Sequence, residues 1–470
     1  MQHFNIITRR GFFERSMKIG LGVALATLTD IPFVMKRALA EGTIGAGKKI
    51  LFIFLRGAND ALNSVIPIQD SAYNTTNRST IIIPGDPATD YSVSGPCDFF
   101  PSGASATFGY GKAIRAGNGF AALHPSLKFL APVYNAGDLA VIHRVAYPKQ
   151  SRSHFDSQNY WENGNPNNNL SKDGIFYRAM LESGLANSQA LTGVSIQSAL
   201  PLLLRGSAAA MTNLSDPTRY NLLGVPNTTS GNAKFDNAFA AANQYGFADK
   251  KNRELLKLQY QNMQDTLSTF ATIDFSDNGN TFVDDAPTDG DTIPYYLFPT
   301  SNVKNGGYAV HANDPAKYVV NTGSYSFFTN LKAAALVLNK TNAIIAGTEL
   351  GGFDTHNAQG SVTGAHSDLQ KQIAWAIYGL RKYFSNYGRG NNAPSSAAKV
   401  NWNDVVVVTL SEFGRTTIQN ASGGTDHAEA GAMFVAGGGV SGYNKGTPHS
   451  GIRGCSPSDP IPWVTGQTGS

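Results

Sequence analysis

The amino-acid sequence predicts an α/β protein with a mostly parallel central sheet flanked by helices. Three observations carry that expectation. Ile50–Leu55 and Val405–Leu410 are nearly unbroken apolar runs, His366–Phe384 between them has amphipathic helical spacing, and polar, glycine-containing turns follow the runs. Strands covered by helices on both faces read as continuous apolar stretches rather than alternating ones. Strand, helix, strand is the unit from which parallel sheets are built.

The elements follow in chain order. Lys48-Lys49 lead into the first strand, which stops at Arg56-Gly57. Leu139–His143 predicts a second strand, Gly174–Leu185 a helix and Leu191–Ile196 a further strand. Ala343–Ala346 predicts a strand before the His366 helix, and Ala432–Ala436 another after Val405–Leu410. Residues 205–319 are rich in Asn, Asp, Ser, Thr and Gly, apart from helical spacing over Asn252–Phe270. A structureless loop of that length is implausible, so this region reads as a polar insertion or cap on the sheet domain. The α/β core then comprises residues 41–204 and 320–442, and residues 443–470 form a Gly/Pro/Ser-rich tail from which no strand is expected.

With 41% hydrophobic and 10% aromatic residues in 470, the chain can build a large core, which excludes a disordered or fibrous protein. Its 15% charged content suits an exported surface. Thr8-Arg9-Arg10-Gly11-Phe12-Phe13, a short apolar stretch over Ile19–Leu28 and Ala38-Leu39-Ala40 form the pattern of a twin-arginine signal peptide spanning residues 1–40. Export to the periplasm or the exterior is the expectation. That leader holds six basic and two acidic residues, and without it the formal charge of +4 falls to zero. No basic field remains for nucleic acid, and no later stretch has the ~18 apolar residues of a membrane span. Cys97 and Cys455 allow at most one disulfide.

Ligands of parallel sheets bind beyond the carboxyl ends of the strands, so the polar residues there are the site candidates. Asp60 follows the first strand. Gly351-Gly352-Phe353-Asp354-Thr355-His356 follows the Ala343 strand, Ser411-Glu412-Phe413-Gly414-Arg415-Thr416 follows the Val405 strand, and Gly424-Thr425-Asp426-His427 precedes the Ala432 strand. Asp354 and His356, two apart in an extended segment, project to one side as two ligands of one metal would. Asp426 can be a ligand or can orient His427. Glu412 reads equally as a ligand or as an ion-pair partner of Arg415. In Ser151-Arg152-Ser153-His154-Phe155-Asp156 a hydroxyl near Arg and His is either a nucleophile with an anion site or the cap of the following helix.

The twin-arginine leader, Phe54-Leu55-Arg56-Gly57-Ala58-Asn59-Asp60-Ala61-Leu62-Asn63, Ser153-His154-Phe155-Asp156 and the three later blocks stand in an order that resembles the secreted bacterial "domain of unknown function 1501" proteins. Those are grouped with the alkaline phosphatase and sulfatase superfamily. The resemblance implies an alkaline-phosphatase-like fold with one or two divalent metals (zinc, manganese or calcium) and a Ser, Thr or modified Cys nucleophile. On that template Asp60, Asp354, His356, Glu412 and His427 are metal ligands, and Asp426 stays a metal candidate from its place beside His427. Ser153 is the nucleophile, with Ser151 and His154 competing for the role, and Arg152 or Arg415 clamps the ester oxygens. The absence of Cys-x-Pro-x-Arg argues against a sulfatase that uses a formylglycine made from Cys.

Two functions follow. The first is an exported metal-dependent hydrolase of a small-molecule or glycan phosphate, sulfate or phosphonate ester. The second is a catalytically inactive member of the same fold that binds a glycan or another envelope protein.

Overall fold

A computed structural model describes residues 48–97, 111–182, 192–206, 211–215, 270, 273, 275, 283–284, 295–299, 322–387, 400–445 and 448–456. The leader, nearly all of the 205–319 region and the Asn252–Phe270 helix expected there lie outside the described residues, apart from Phe270 itself.

The core is α/β, built on one mixed sheet of eight strands. In chain order these are β1 (Lys49–Leu55), β2 (Leu139–Val145), β3 (Gly193–Ile196), β4 (Thr212–Leu214), β5 (Ile345–Leu350), β6 (Val405–Ser411), β7 (Gly431–Ala436) and β8 (Ile452–Arg453). Across the sheet they run β8-β2-β7-β6-β1-β5-β3-β4. β1 sits in the middle and pairs in parallel with β5 and β6. β7 is the exception to the parallel arrangement, running antiparallel to β6 and to β2. β8 falls in the segment expected to add no strand, yet its two residues pair with Val141 and Ile142 at the sheet edge.

The unbroken apolar character of β1 has a direct cause. Leu51, Ile53 and Leu55 join the larger core on one face, while Phe52 and Phe54 pack with Phe176, Met180, Leu203 and Leu204 on the other. A strand buried on both faces keeps no polar register. Helices α1 (His154–Asn163), α2 (Ile175–Glu182), α3 (Tyr325–Lys340) and α4 (Ala365–Lys382) flank the sheet. α4 buries Ile373, Trp375, Ile377 and Leu380. Phe129 meets the Trp375 ring edge-on at 4.8 Å, a geometry that adds about 1 kcal/mol to the burial itself. α3 has no counterpart among the elements expected from sequence, although Phe327, Leu331, Ala334 and Leu338 carry helical spacing and are buried. Among the described residues no helix is long and apolar enough to cross a membrane.

Antiparallel β7 matters for the site. The residues that precede it start from the same sheet edge at which β1, β2, β5 and β6 end. His427 ahead of β7 therefore meets Asp354 behind β5, Phe413 behind β6 and His154 behind β2.

Candidate metal centre

Three imidazoles converge on one carboxylate oxygen. Asp354 Oδ1 lies 3.1 Å from His356 Nε2, 3.4 Å from His427 Nε2 and 3.5 Å from His154 Nε2. The metal-capable atoms of His154, Asp354 and His427 all lie within 4.8 Å of one another, and His356 Nε2 is 2.8 Å from His427 Nε2.

The opposite ring nitrogen of each histidine faces an acceptor. His154 Nδ1 is 3.1 Å from Glu412 Oε1, His356 Nδ1 is 2.9 Å from Asp426 Oδ1, and His427 Nδ1 is 2.8 Å from the Arg152 carbonyl oxygen. Ionised carboxylates and carbonyls only accept, so each Nδ1 carries its ring's proton and, in the neutral ring, leaves Nε2 as a bare lone pair. In that tautomer the two Nε2 lone pairs, 2.8 Å apart, repel unless a proton or a metal ion lies between them. His154 Nε2 is buried and makes no hydrogen bond. Inward-pointing nitrogens with acceptors behind them are what metal-binding histidines require. His154, Asp354 and His427 offer two nitrogens and one oxygen close enough together to hold one divalent ion, with His356 beside them.

The surroundings hold these rings in place. Phe413 is buried and packs 4.6 Å from His427 and 4.9 Å from His154, ring centre to ring centre. Glu412 is fully buried and also accepts from Gly57 N at 2.7 Å and Gln158 Nε2 at 3.0 Å. Burial pushes its carboxyl up, but the hydrogen bonds from His154 and Gln158 outweigh that and hold it below its ordinary value. The same bond raises His154 above the usual imidazole range. Burial likewise works against Asp354, whose carboxyl is nonetheless lowered by Arg415. Arg415 is buried and donates from its three nitrogens to Ala58, Thr425, Gly57, Phe353 and Asp354, tying the loops behind β1, β5 and β6 together. Gly57 has φ +110° and a Cβ there would run into the Asp354 backbone nitrogen, so only glycine lets these loops meet.

The residues expected from sequence divide into three groups. Asp354, His356 and His427 come together, and His154 joins them as a metal-capable ring. Glu412 and Asp426 stand behind His154 and His356 as acceptors. Asp60 is engaged elsewhere. It is fully buried, paired with Arg78 Nη1 at 2.7 Å, and accepts from Gln359 Nε2 at 2.7 Å and from Leu62 N as a helix cap. Burial raises its pKa, but the Arg78 charge and hydrogen bonds prevail and hold it at about 2. Gln359 carries this brace onward: its Oε1 accepts from Thr355 and Thr425, whose neighbours are Asp354, His356 and Asp426.

Ser153 caps α1, its Oγ 3.4 Å from Asp156 N. Exposed Arg152 contributes its carbonyl to the centre, while its guanidinium lies 3.8 Å from Glu429. Phe413, Gln158, Gln359 and Arg78 went unnoticed in the sequence. Phe413 alone had a visible signal, an apolar residue inside a polar block at a strand end.

No curated protein and no solved structure matches the chain. Over residues 308–446, which hold Asp354, His356, Glu412, Arg415, Asp426 and His427, the chain matches the family model described as "Protein of unknown function (DUF1501)".

Proposed function

We propose that this protein is an exported, metal-dependent hydrolase of a phosphate, sulfate or phosphonate ester, on an alkaline-phosphatase- or sulfatase-like architecture. The observation that carries the reading is the convergence of three Nε2 atoms and Asp354 Oδ1, with an acceptor behind every ring. A donor set made mainly of imidazole nitrogens with one carboxylate oxygen favours zinc, or manganese, over calcium, which takes oxygen ligands. A bound divalent ion would supply Lewis acidity to the ester oxygens. Asp354 and His356 are 49% and 42% exposed, so an ester can reach them from solvent. Ser153 keeps an exposed hydroxyl next to His154 and is the protein nucleophile of this reading.

The inactive, envelope-binding reading is favoured by Arg415. Each of its three nitrogens donates to a protein oxygen, so it does not serve as the clamp on an ester oxyanion.

Elemental analysis of protein purified without chelator, beside an Asp354→Ala/His356→Ala variant, tests the metal. The expected result is one divalent ion per chain, lost in the variant, followed by turnover in a panel of phosphate and sulfate monoesters that Ser153→Ala abolishes. Metal-free wild-type protein sinks the reading; metal without turnover transfers support to the binding protein.

A further inference from the structure

A cavity of about 460 Å³ opens at the carboxyl ends of β3 and β5, within the range of roughly 300–1,000 Å³ usual for small-molecule sites. Its walls include Gln197 beyond β3, Glu349 and Gly351 at the end of β5, Phe327 and Asn330 on α3, and Gln372 on α4. Gly351 also begins the loop that carries Asp354. Three residues of chain span at most about 11 Å, so the cavity lies beside the metal centre.

The wall is rich in unspent hydrogen-bonding groups. Gln197 is 5% exposed and its Oε1 has no hydrogen-bond partner. Its Nε2 reaches Glu349 Oε2 only at 3.4 Å. Among the described residues, Glu349 Oε1 and the side-chain amides of Asn330 and Gln372 have no protein partner. Buried Phe327 adds an apolar surface. None of the described lining residues is Lys, Arg or His. The Arg56 guanidinium beside Glu349 is held by Glu162 at 2.8 Å and Glu349 at 3.0 Å. An anionic group finds no counter-charge here, and an apolar ligand would leave amides unpaired at about 1–3 kcal/mol each. Several hydroxyls, each both donor and acceptor, match a wall of amides and one carboxylate.

We propose that this cavity binds a neutral saccharide unit. Sugar binding stands independently of the metal. Its assignment as the subsite for the alcohol part of the ester rests on the hydrolase reading, and makes the substrate a sugar ester whose anionic group lies toward Asp354.

The test is calorimetric titration of the full chain with methyl β-glucoside, N-acetylglucosamine, cellobiose and chitobiose. Wild type, Asp354→Ala/His356→Ala, Gln372→Leu and Asn330→Leu are compared, with thermal unfolding as the control for folding. At least one sugar is expected to bind wild type and the double variant alike. Each cavity variant should weaken it roughly tenfold or more, the loss of one to two net hydrogen bonds. Binding of none of the sugars, binding indifferent to both cavity variants, or displacement of the sugar by inorganic phosphate or sulfate overturns the proposal. Sugar binding in a protein that holds no metal would sink the hydrolase reading and leave the cavity's assignment standing.

Discussion

His356 Nε2 and His427 Nε2 face each other at 2.8 Å although acceptors hold both rings' protons on the opposite nitrogens. A metal ion bound between them would relieve that opposition and stabilise the fold. Zinc at a hundredfold excess over its Kd should raise unfolding stability by about 2.7 kcal/mol. Thermal unfolding with zinc and with chelator checks this: His427→Ala should erase the difference, and an unchanged Tm in the wild type refutes it.

Glu412 touches the centre only through His154 Nδ1, and is a positioning residue. Glu412→Gln keeps the size but weakens the acceptor that fixes the ring's tautomer. Metal affinity is expected to fall about 10–100-fold with stoichiometry retained at saturation. Competition against a chelating dye reads the affinity. A complete loss of binding capacity would make Glu412 a ligand after all.

Asp60 separates bracing from ligation. Arg78→Leu leaves its carboxylate buried without its ion pair, and should cost about 3–5 kcal/mol in urea unfolding. Asp60→Asn keeps the size and the contact to Gln359, and is expected to bind the full complement of metal. Loss of metal from folded Asp60→Asn would restore Asp60 to the ligand set.

Acid should destabilise the protein in two stages. Burial lowers His124 to about 3 and His143 and His366 to about 4, so the folded chain keeps them neutral. Unfolded imidazoles take up protons below about 6.5, so stability present above that pH is lost progressively down through about 4. Asp60 acts lower, its contribution of about 2 kcal/mol being present above pH ~4 and lost as pH falls through about 2. Urea midpoints between pH 8 and 3 should decline below 6.5; a flat profile from 7 to 4 contradicts the buried neutral histidines.

The strands and the candidate residues behind them were legible because burial on both faces leaves an unbroken apolar trace, as at Ile50–Leu55 and Val405–Leu410. Asp354, His356 and His427 were legible because carboxylate and imidazole beside glycine at strand ends are a local pattern. What each residue does was not local. Asp60 carries the right type at the right strand end, but Arg78, eighteen positions on, claims its oxygens. His154 belongs with His427 because β7 runs antiparallel, and strand direction depends on pairing across the sheet. By itself the sequence determined the α/β class, the places of six of the eight sheet strands and the pool of metal-capable side chains. Only the tertiary structure decided which of them converge, since ligation depends on distances between residues that lie far apart along the chain.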